Sequence, residues 1–211
     1  KEDIEKSDVK VYENFYIEQK LTNGSTIRFF KNRKEVDKVC LMNGKMPKKS
    51  GEIAVDRMYA DNNELKVGDT VKSRKKTFRI TGLVALSDYS ALFQNNNDTM
   101  FDAVKFGVAI VTDKDFEALN QVKVQYNYAW IYDKKPATEK KEKKMAEDLM
   151  EDMADVVTIE SFVPQYQNQS IHFTGDDMGS DRAMIVMLLY IVMAILAFVF
   201  GITISNTIRK E

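Results

Sequence analysis

Few side chains in this chain of 211 residues have the type and spacing of a catalytic site. His172 follows Ser170 and precedes Asp176, and a serine, a histidine and an aspartate are the groups of a nucleophilic triad. All three fall within one short polar stretch, and nothing nearby has the pattern of an oxyanion-binding turn. We therefore interpret His172 as a solvated side chain.

Motifs of other chemistries are missing from the sequence as well. It has no phosphate-binding P-loop, no dinucleotide-binding glycine pattern, no zinc-protease motif and no hydrolase nucleophile motif. Its single cysteine, Cys40, and its single histidine cannot build a paired Cys/His zinc site or an intrachain disulfide. The sequence predicts a chain that is not an enzyme, with no catalytic residue, metal site or cofactor.

Charge and composition exclude further classes of protein. The 31 Lys and Arg residues nearly balance the 32 Asp and Glu residues, so the formal net charge is -1. No overall positive field attracts nucleic acid, and we expect no nucleic-acid partner. The 44% of hydrophobic residues is enough for a core without disulfides or metal.

An apolar segment near the C-terminus predicts a transmembrane helix over residues 183–205. Residues 183–204 read AMIVMLLYIVMAILAFVFGITI, without a charge, an amide side chain or a proline. At about 1.5 Å per residue this length crosses a hydrocarbon layer of about 30 Å. The alternative is a core helix of a soluble protein, which the polar remainder of the chain would have to enclose completely.

The charges that flank this segment predict its orientation. Acidic residues dominate the side that precedes it, including Asp176, Asp177 and Asp181, whereas Arg209 and Lys210 follow it closely. Cytoplasmic flanks of membrane helices are enriched in Lys and Arg. We therefore expect residues 206–211 in the cytosol, residues 1 to about 182 outside, and residues 165–182 as a connector.

Small residues recur on one face of the predicted membrane helix. Ala197, Gly201 and Ser205 are spaced by four, and Ala194 extends their face. Such residues allow a neighbouring helix to approach closely, which predicts packing in a bundle within membrane lipid. Chance is the alternative interpretation, since small residues are common in membrane helices.

Residues 1–164 are predicted to form an α+β domain. Strands are predicted over residues 9–18, 26–31, 51–55, 70–73, 77–86, 106–112, 122–133 and 156–162, the fourth and fifth as a hairpin with a bend at Gly82. Asp56 and Thr112 are expected to cap helices that end near residues 63 and 120. Strands and short helices alternate without regular βαβ units, which favours an α+β class.

Other predictions concern the segments between these strands. Asn32 and Glu35 have the spacing of a capping box, which predicts a short helix toward Cys40, itself interpreted as a small buried side chain. Residues 87–101 are rich in Ser, Asn and Asp and predict a long exposed loop. A helix over residues 139–153 has lysines in its first half and acids in its second, against the helix dipole, and is interpreted mainly as a solvated face.

Four short runs follow one another in an order that is familiar from one family. Residues 41–47 read LMNGKMP, residues 51–56 GEIAVD, residues 66–69 KVGD and residues 78–82 FRITG. Their order, followed by the apolar segment, resembles the extracytoplasmic core domain of MacB/FtsX-type ABC transporter permeases. Lys45 departs from the arginine that this family usually has there. The resemblance assigns structural roles to Gly44, Pro47, Glu52, Ile53, Ala54, Gly68, Asp69 and Gly82.

The resemblance implies a function and a set of partners. A permease of this kind lies in the bacterial cell membrane, pairs with a cytosolic ABC ATPase subunit and works with a second permease copy or half. ATP-driven closure is passed through the membrane helices to the outer domain, for export or mechanotransmission that acts on an extracytoplasmic protein or peptide. The resemblance also implies that the chain is a fragment of a longer permease.

Two other functions remain open at this point. The chain is alternatively the outer sensor domain of a membrane signalling protein, with an output domain beyond residue 211. A membrane-anchored enzyme would need a clustered acid and base near residues 87–101, and the sequence shows no such pair.

Overall fold

The computed structural model describes residues 9–73, 76–119, 121–155 and 157–209, and the side chains of residues 174–180 are not among those described. The chain divides into two compact units, Lys1–His172 and Phe173–Glu211. The elements are strands β1 Val9–Glu13, β2 Tyr16–Lys20, β3 Thr26–Phe30, β4 Val39–Gly44, β5 Glu52–Asp56, β6 Thr70–Lys72, β7 Thr77–Leu86, β8 Phe106–Val111, β9 Val124–Gln125 and β10 Tyr128–Tyr132, and helices α1 Arg57–Asn62, α2 Asp113–Ala118, α3 Glu139–Ala154 and α4 Gln169–Ile208. The predicted α+β class is confirmed.

A mixed sheet organises the first unit. In the described part of the chain eight strands form it, in the order β4-β7-β5-β8-β3-β2-β9 with β6 added to β7. The pairs β3/β8 and β5/β7 are parallel, and the other pairs are antiparallel. Every residue of the central strand β8 is buried. This explains why β8 has a continuous apolar sequence without alternation.

The core lies against this sheet, and Tyr59 of α1 is its largest fully buried side chain. The Tyr59 ring packs over Gly107, where an added Cβ would come within 2.5 Å of the ring. The Tyr59 hydroxyl shares a hydrogen bond of 2.7 Å with the Ser25 hydroxyl, so the buried polar atom has a partner. Asp56 caps α1 by accepting a hydrogen bond from the Tyr59 backbone N–H, as predicted.

The predicted strands over 9–18 and 122–133 are each broken into two. β1 pairs with β10, and β2 pairs with β9, so the same two stretches of chain run antiparallel on both sides of the break. At the break the Asn14 N–H donates to the Asn127 carbonyl at 2.8 Å. Phe15 packs edge-on against the rings of Tyr126 and Tyr128, at centroid distances of 5.1 and 5.3 Å. The sequence pattern predicted both strands, but it did not predict that each of them is interrupted at the same place.

The predicted helix toward Cys40 is wrong. The chain bends through residues 34–37 and then enters strand β4. Asp37 has a φ of 46°, which a helix interior does not allow. Cys40 is exposed, not buried, because β4 lies at the edge of the sheet and pairs only with β7 among the described strands. The pairing of β4 with β7 shifts its register between Leu41 and Asn43.

Two other predictions are corrected. The predicted strand over 156–162 is irregular over residues 157–162, and residue 156 lies outside the described residues. Phe162 instead stacks on Trp130 of β10 at a centroid distance of 4.8 Å. Residues 87–101 are not an exposed loop throughout, because Ala91, Leu92 and Phe93 are buried.

The remaining predictions agree closely with the structure. β3, β5, β8 and the β6/β7 hairpin match their predicted strands, and a register shift in the β5/β7 pair falls beside Gly82. Thr112 caps α2 through the Asp115 N–H. Among the described residues one helical stretch is long and apolar enough to cross a membrane, Asp181–Ile208. None of it is buried, which is consistent with a membrane span; the boundaries at 164, 182 and 205 stay predictions.

Asp115 fixes α2 to two turns that are distant in sequence. Its fully buried carboxylate accepts hydrogen bonds from the Ser50 hydroxyl at 2.6 Å and the Gly51 N–H at 2.8 Å, and it forms an ion pair with Lys76. Burial alone would raise the pKa of Asp115, but the hydrogen bonds from Lys76, Ser50 and Gly51 outweigh it and hold the pKa below its ordinary value. The charged form of Asp115 therefore stabilises the fold.

We expect Asp115→Asn to lower the free energy of unfolding by about 2 kcal/mol at pH 7, because it leaves Lys76 without its partner. Asp113→Asn, an exposed aspartate in the same helical turn, should change it by about 0.5 kcal/mol or less. The Asp115 contribution is present above the unfolded pKa of about 4 and is lost as the pH falls through the lower folded value. Denaturant unfolding of the wild type and both variants between pH 7 and pH 3 measures these changes. If the loss of unfolding free energy in Asp115→Asn were the same at pH 3 as at pH 7, the stabilising role of the charged Asp115 would be contradicted.

Candidate functional site

Residues 87–101 join the sheet to the first turn of α4, within the first unit. We call this arrangement the α4 anchor: Ser90, Ala91 and Asn96 on one side, and residues 167–171 on the other. It contains no nucleophile paired with a base. It consists of hydrogen bonds between the segment that follows β7 and the residues that begin α4.

Arg28 of β3 holds one end of this segment. Its guanidinium donates to Glu18 at 2.6 and 3.0 Å, to the Tyr89 hydroxyl at 2.6 Å and to the Gln94 carbonyl at 2.9 Å. It also lies 4.1 Å from the centre of the Tyr16 ring, a cation–π geometry. Burial raises the pKa of Tyr89 to about 12, so its hydroxyl stays protonated and neutral beside the cation.

Arg33 holds the start of the segment through Asp88. The two side chains form a bidentate ion pair with distances of 2.6 and 2.7 Å, and they are only 6% and 11% exposed. Arg33 also donates to the Asn14 side chain at 3.0 Å. Burial raises the pKa of Asp37 to about 6, and the nearby negative charge of Asp88 adds to this shift. The positive charge of Arg33 acts in the opposite direction and lowers the pKa of Asp37.

Asn96 and Ser90 make the contacts with α4. The Asn96 side chain donates to the Gln167 carbonyl at 3.0 Å and accepts from the Gln169 N–H at 2.9 Å. The Ala91 N–H donates to the Ser170 carbonyl at 3.2 Å, and the Ser90 hydroxyl donates to the same oxygen. Because the first N–H groups of a helix have no partner within it, Asn96 supplies an acceptor that α4 itself lacks.

Sequence reasoning missed this anchor. The polar composition of residues 87–101 is typical of a surface loop, and the apolar run 91–93 within it was the one signal of burial. Of the residues considered for a triad, Ser170 contributes its backbone carbonyl to the anchor, and the His172 ring contacts the Gln165 carbonyl at 2.8 Å. The side chain of Asp176 lies outside those described. Among the described residues, no group of three possible metal ligands occurs.

The structure brings Gly44 and Gly82 together. They face each other in the β4/β7 pair, and the Lys45 N–H donates to the Thr81 carbonyl at 2.7 Å. A Cβ on Gly44 would lie 2.3 Å from the Thr81 oxygen, and one on Gly82 would lie 2.6 Å from the Lys45 oxygen. Gly44 also has a φ of +75°. Glycine is therefore required at both positions, because the backbones of β4 and β7 approach too closely there to leave room for a side chain.

The other residues of the four short runs stabilise nearby turns and the core. Glu52 accepts hydrogen bonds from the Lys48 and Lys49 N–H groups at 2.8 and 2.9 Å, and these bonds lower its pKa. Ile53 and Ala54 are fully buried in β5, and Pro47 is half-buried. Gly68, with a φ of +106°, donates to the Ile80 carbonyl, and Asp69 accepts from the Lys66 N–H at 2.8 Å. All of these contacts are within the domain.

Ala194, Ala197, Gly201 and Ser205 all lie in α4. Ala197, Gly201 and Ser205 line a shallow groove along it, and no atom lies within 4 Å of where a Cβ on Gly201 would be. The groove has the shape that close packing of a second helix needs, and its role as a packing face stays a prediction.

We expect Gly44→Ala to destabilise the protein by about 3 kcal/mol, because the new methyl group would overlap the Thr81 carbonyl in addition to straining the backbone. Gly51→Ala is the matched control: Gly51 has a φ of +87°, but no atom lies within 4 Å of its Cβ position. Only the left-handed strain remains there, about 1 kcal/mol. Thermal unfolding of both variants measures the difference, and equal shifts would mean that the close approach is not limiting.

Comparison with known proteins gives matches among solved structures. No protein-family model matches the chain, and no curated protein sequence matches it. The extracellular domain of the noncanonic ABC-type transporter YknZ from Gram-positive bacteria is similar with 12% identity and a TM-score of 0.38, over 73% of this chain and 83% of that one. The periplasmic region of MacB from Actinobacillus actinomycetemcomitans gives 13% identity and a TM-score of 0.35, over 75% and 83%. A domain assigned to a permease protein of Porphyromonas gingivalis gives 12% identity and a TM-score of 0.34, over 75% and 70%.

Proposed function

We propose that this chain is the extracytoplasmic domain and the following transmembrane helix of a MacB/FtsX-type ABC transporter permease subunit. In this role the chain has no catalytic site, and a separate cytosolic ATPase supplies the energy. The observation that carries the proposal is the α4 anchor, which ties the first turn of an apolar helix to the buried sheet of a folded domain. The order of the four short runs between residues 41 and 82 supports the same family.

The anchor suits the transmission of movement. α4 has 40 residues, which at about 1.5 Å per residue corresponds to about 60 Å of helix. A displacement of its first turn pulls on Asn96, Ala91 and Ser90. Their segment is held in turn by the hydrogen bonds from Arg28 to Tyr89 and Gln94 and by the buried ion pair of Arg33 with Asp88. Closely packed and hydrogen-bonded elements shift together instead of deforming gradually. Closure of the ATPase could therefore act outside the membrane without a channel through this domain.

The proposal includes a location and partners. The protein lies in a bacterial cell membrane, with residues 1 to about 182 extracytoplasmic and the apolar helix in contact with lipid. The groove lined by Ala197, Gly201 and Ser205 packs against another membrane helix. A second permease copy or half completes the transporter, and an extracytoplasmic protein or peptide is the class of substrate.

Cys40 provides a direct test of the location, because it is the single cysteine of these 211 residues and is exposed. Any cysteine elsewhere in the full-length protein is first replaced by serine. We expect a membrane-impermeant maleimide to label Cys40 in intact cells or spheroplasts that express the full-length protein. In a Cys40→Ser, Thr207→Cys variant, the thiol lies at the opposite end of the apolar stretch and should react only after permeabilisation. Labelling of Thr207→Cys but not of Cys40 in intact cells would reverse the proposed topology.

Asn96 provides a test of the coupling. In the complete transporter, purified with the ABC ATPase that binds it, we expect trapping of the ATP-bound state to change amide hydrogen exchange at residues 87–101 and 167–171. Asn96→Ala removes both side-chain hydrogen bonds to the start of α4 and should reduce this response several-fold, with ATP hydrolysis retained. Asn95→Ala is the matched control, since Asn95 contacts only Asp98 of its own loop among the hydrogen bonds described.

Two results would contradict the proposal of coupling. One is a full-length protein that binds no ABC ATPase in its native membrane. The other is a wild-type transporter in which the nucleotide state leaves exchange at residues 87–101 unchanged. Equal responses in Asn96→Ala and Asn95→Ala would show that the coupling, if present, does not pass through the α4 anchor.

A further inference from the structure

Helix α3 (Glu139–Ala154) has a charge order that a single helix does not favour. Its lysines, 140, 141, 143 and 144, lie in the N-terminal half, and Glu147, Asp148, Glu151 and Asp152 lie in the C-terminal half. The helix dipole favours acids first and bases last. Glu139 and Glu142 of the first turn follow this preference, but the four lysines beside them and the four acids of the C-terminal half oppose it. The sequence therefore keeps an arrangement that costs stability in the isolated chain.

The charged side chains are on the outer face of α3. Ala146 and Leu149 are buried and mark the face that packs on the domain. Lys140, Lys144, Glu147 and Glu151 are exposed, and their spacing of four, three and four residues aligns them along one stripe on the opposite side. We call these four residues the α3 stripe.

The charged side chains of α3 form no ion pair with other residues in the described part of the chain. The sequence also allows i,i+4 pairs between Lys143 and Glu147 and between Lys144 and Asp148. Among the described residues, however, no ion pair joins any side chain of α3 to another residue. The stripe is thus available to a partner.

The charges of the α3 stripe are inverted about a point between Met145 and Ala146, near the middle of the helix. Lys144 and Glu147 are equally far from this point, and likewise Lys140 and Glu151. If a second α3 is laid against the first in the antiparallel direction, each of these lysines faces the corresponding acid of the other copy. A surface that is complementary to itself in this way fits a two-fold symmetric contact.

We infer that the α3 stripe is a binding surface for a second copy of this chain, with the two helices antiparallel about an axis between Met145 and Ala146. This inference deepens the proposed function, and it rests on that function for a bilayer that holds two permease copies close together. Both signs of charge are arranged symmetrically along one line, which singles out an identical partner over a uniformly basic or acidic one.

The physical chemistry of the contact sets its expected strength. Exposed ion pairs each contribute little, and salt screens them over about 10 Å at 0.1 M ionic strength. One helix face buries less area than a stable soluble dimer needs. The contact should therefore be weak, sensitive to salt and effective only where the membrane raises the local concentration.

The test uses full-length chains with two different affinity tags, co-expressed in membranes and co-purified in mild detergent at low salt. Glu147→Lys/Glu151→Lys makes the stripe wholly basic, and Lys140→Glu/Lys144→Glu makes it wholly acidic. Like charges then face each other in a homodimer, so we expect each variant alone to co-purify about tenfold less than wild type. Basic and acidic variants expressed together should restore co-purification, because their stripes are complementary.

Two control variants separate pairing from folding. The four substitutions combined in one chain reverse every charge of the stripe but keep it self-complementary, so this variant should co-purify like wild type. It should also unfold at a higher temperature, because its charges then suit the helix dipole. Lys141→Glu and Asp152→Lys, made separately, change exposed charges beside the stripe and should leave co-purification unchanged.

Restoration by mixing, together with loss in each variant alone, supports the α3 contact. Equal co-purification of wild type and both double variants would overturn it, as would a wild type whose tagged copies do not associate. Neither result would affect labelling of Cys40 or binding of the ABC ATPase, so failure of this inference is distinguishable from failure of the proposed function.

Discussion

The structure depends on two arginines whose charges are held in buried surroundings. A buried guanidinium must keep its partners, because leaving it unpaired costs far more than the pair itself contributes. Besides Glu18 and Asn14, Arg28 and Arg33 take partners from residues 87–94, namely Tyr89, Gln94 and Asp88. Residues 87–94 are therefore held on the sheet because they supply partners to these buried charges. Held in this way, they position the first turn of α4.

Much of the fold follows from local sequence patterns. Apolar runs, caps and turns located β3, β5, β7, β8, α1, α2 and α3, because in these elements the local preference agrees with the tertiary environment. The wrong secondary-structure predictions occur where contacts with residues distant in sequence determine the local conformation. The capping-box spacing at Asn32 predicted a helix, but the pairing of Arg33 with Asp88 and the pairing of β4 with β7 are interactions across the fold.

The candidate site was harder to predict than the fold. The order of residues 41–82 gave the resemblance, yet the contacts of Gly44, Gly82, Glu52 and Asp69 explain those residues as parts of strands and turns. The α4 anchor uses Ser90 and Asn96, which are ordinary loop residues in composition. Their role depends on backbone groups some 70 to 80 positions away in sequence, a relation that no local pattern contains.

The register shift between Leu41 and Asn43 has a consequence for the protein outside its native assembly. β4 leaves one side of its backbone without a strand partner in the described part of the chain, and such an edge invites other chains to add to it. An irregular, locally twisted ladder is a poor template for cross-chain β-pairing. We therefore expect the irregular β4 edge to disfavour cross-chain aggregation of the domain.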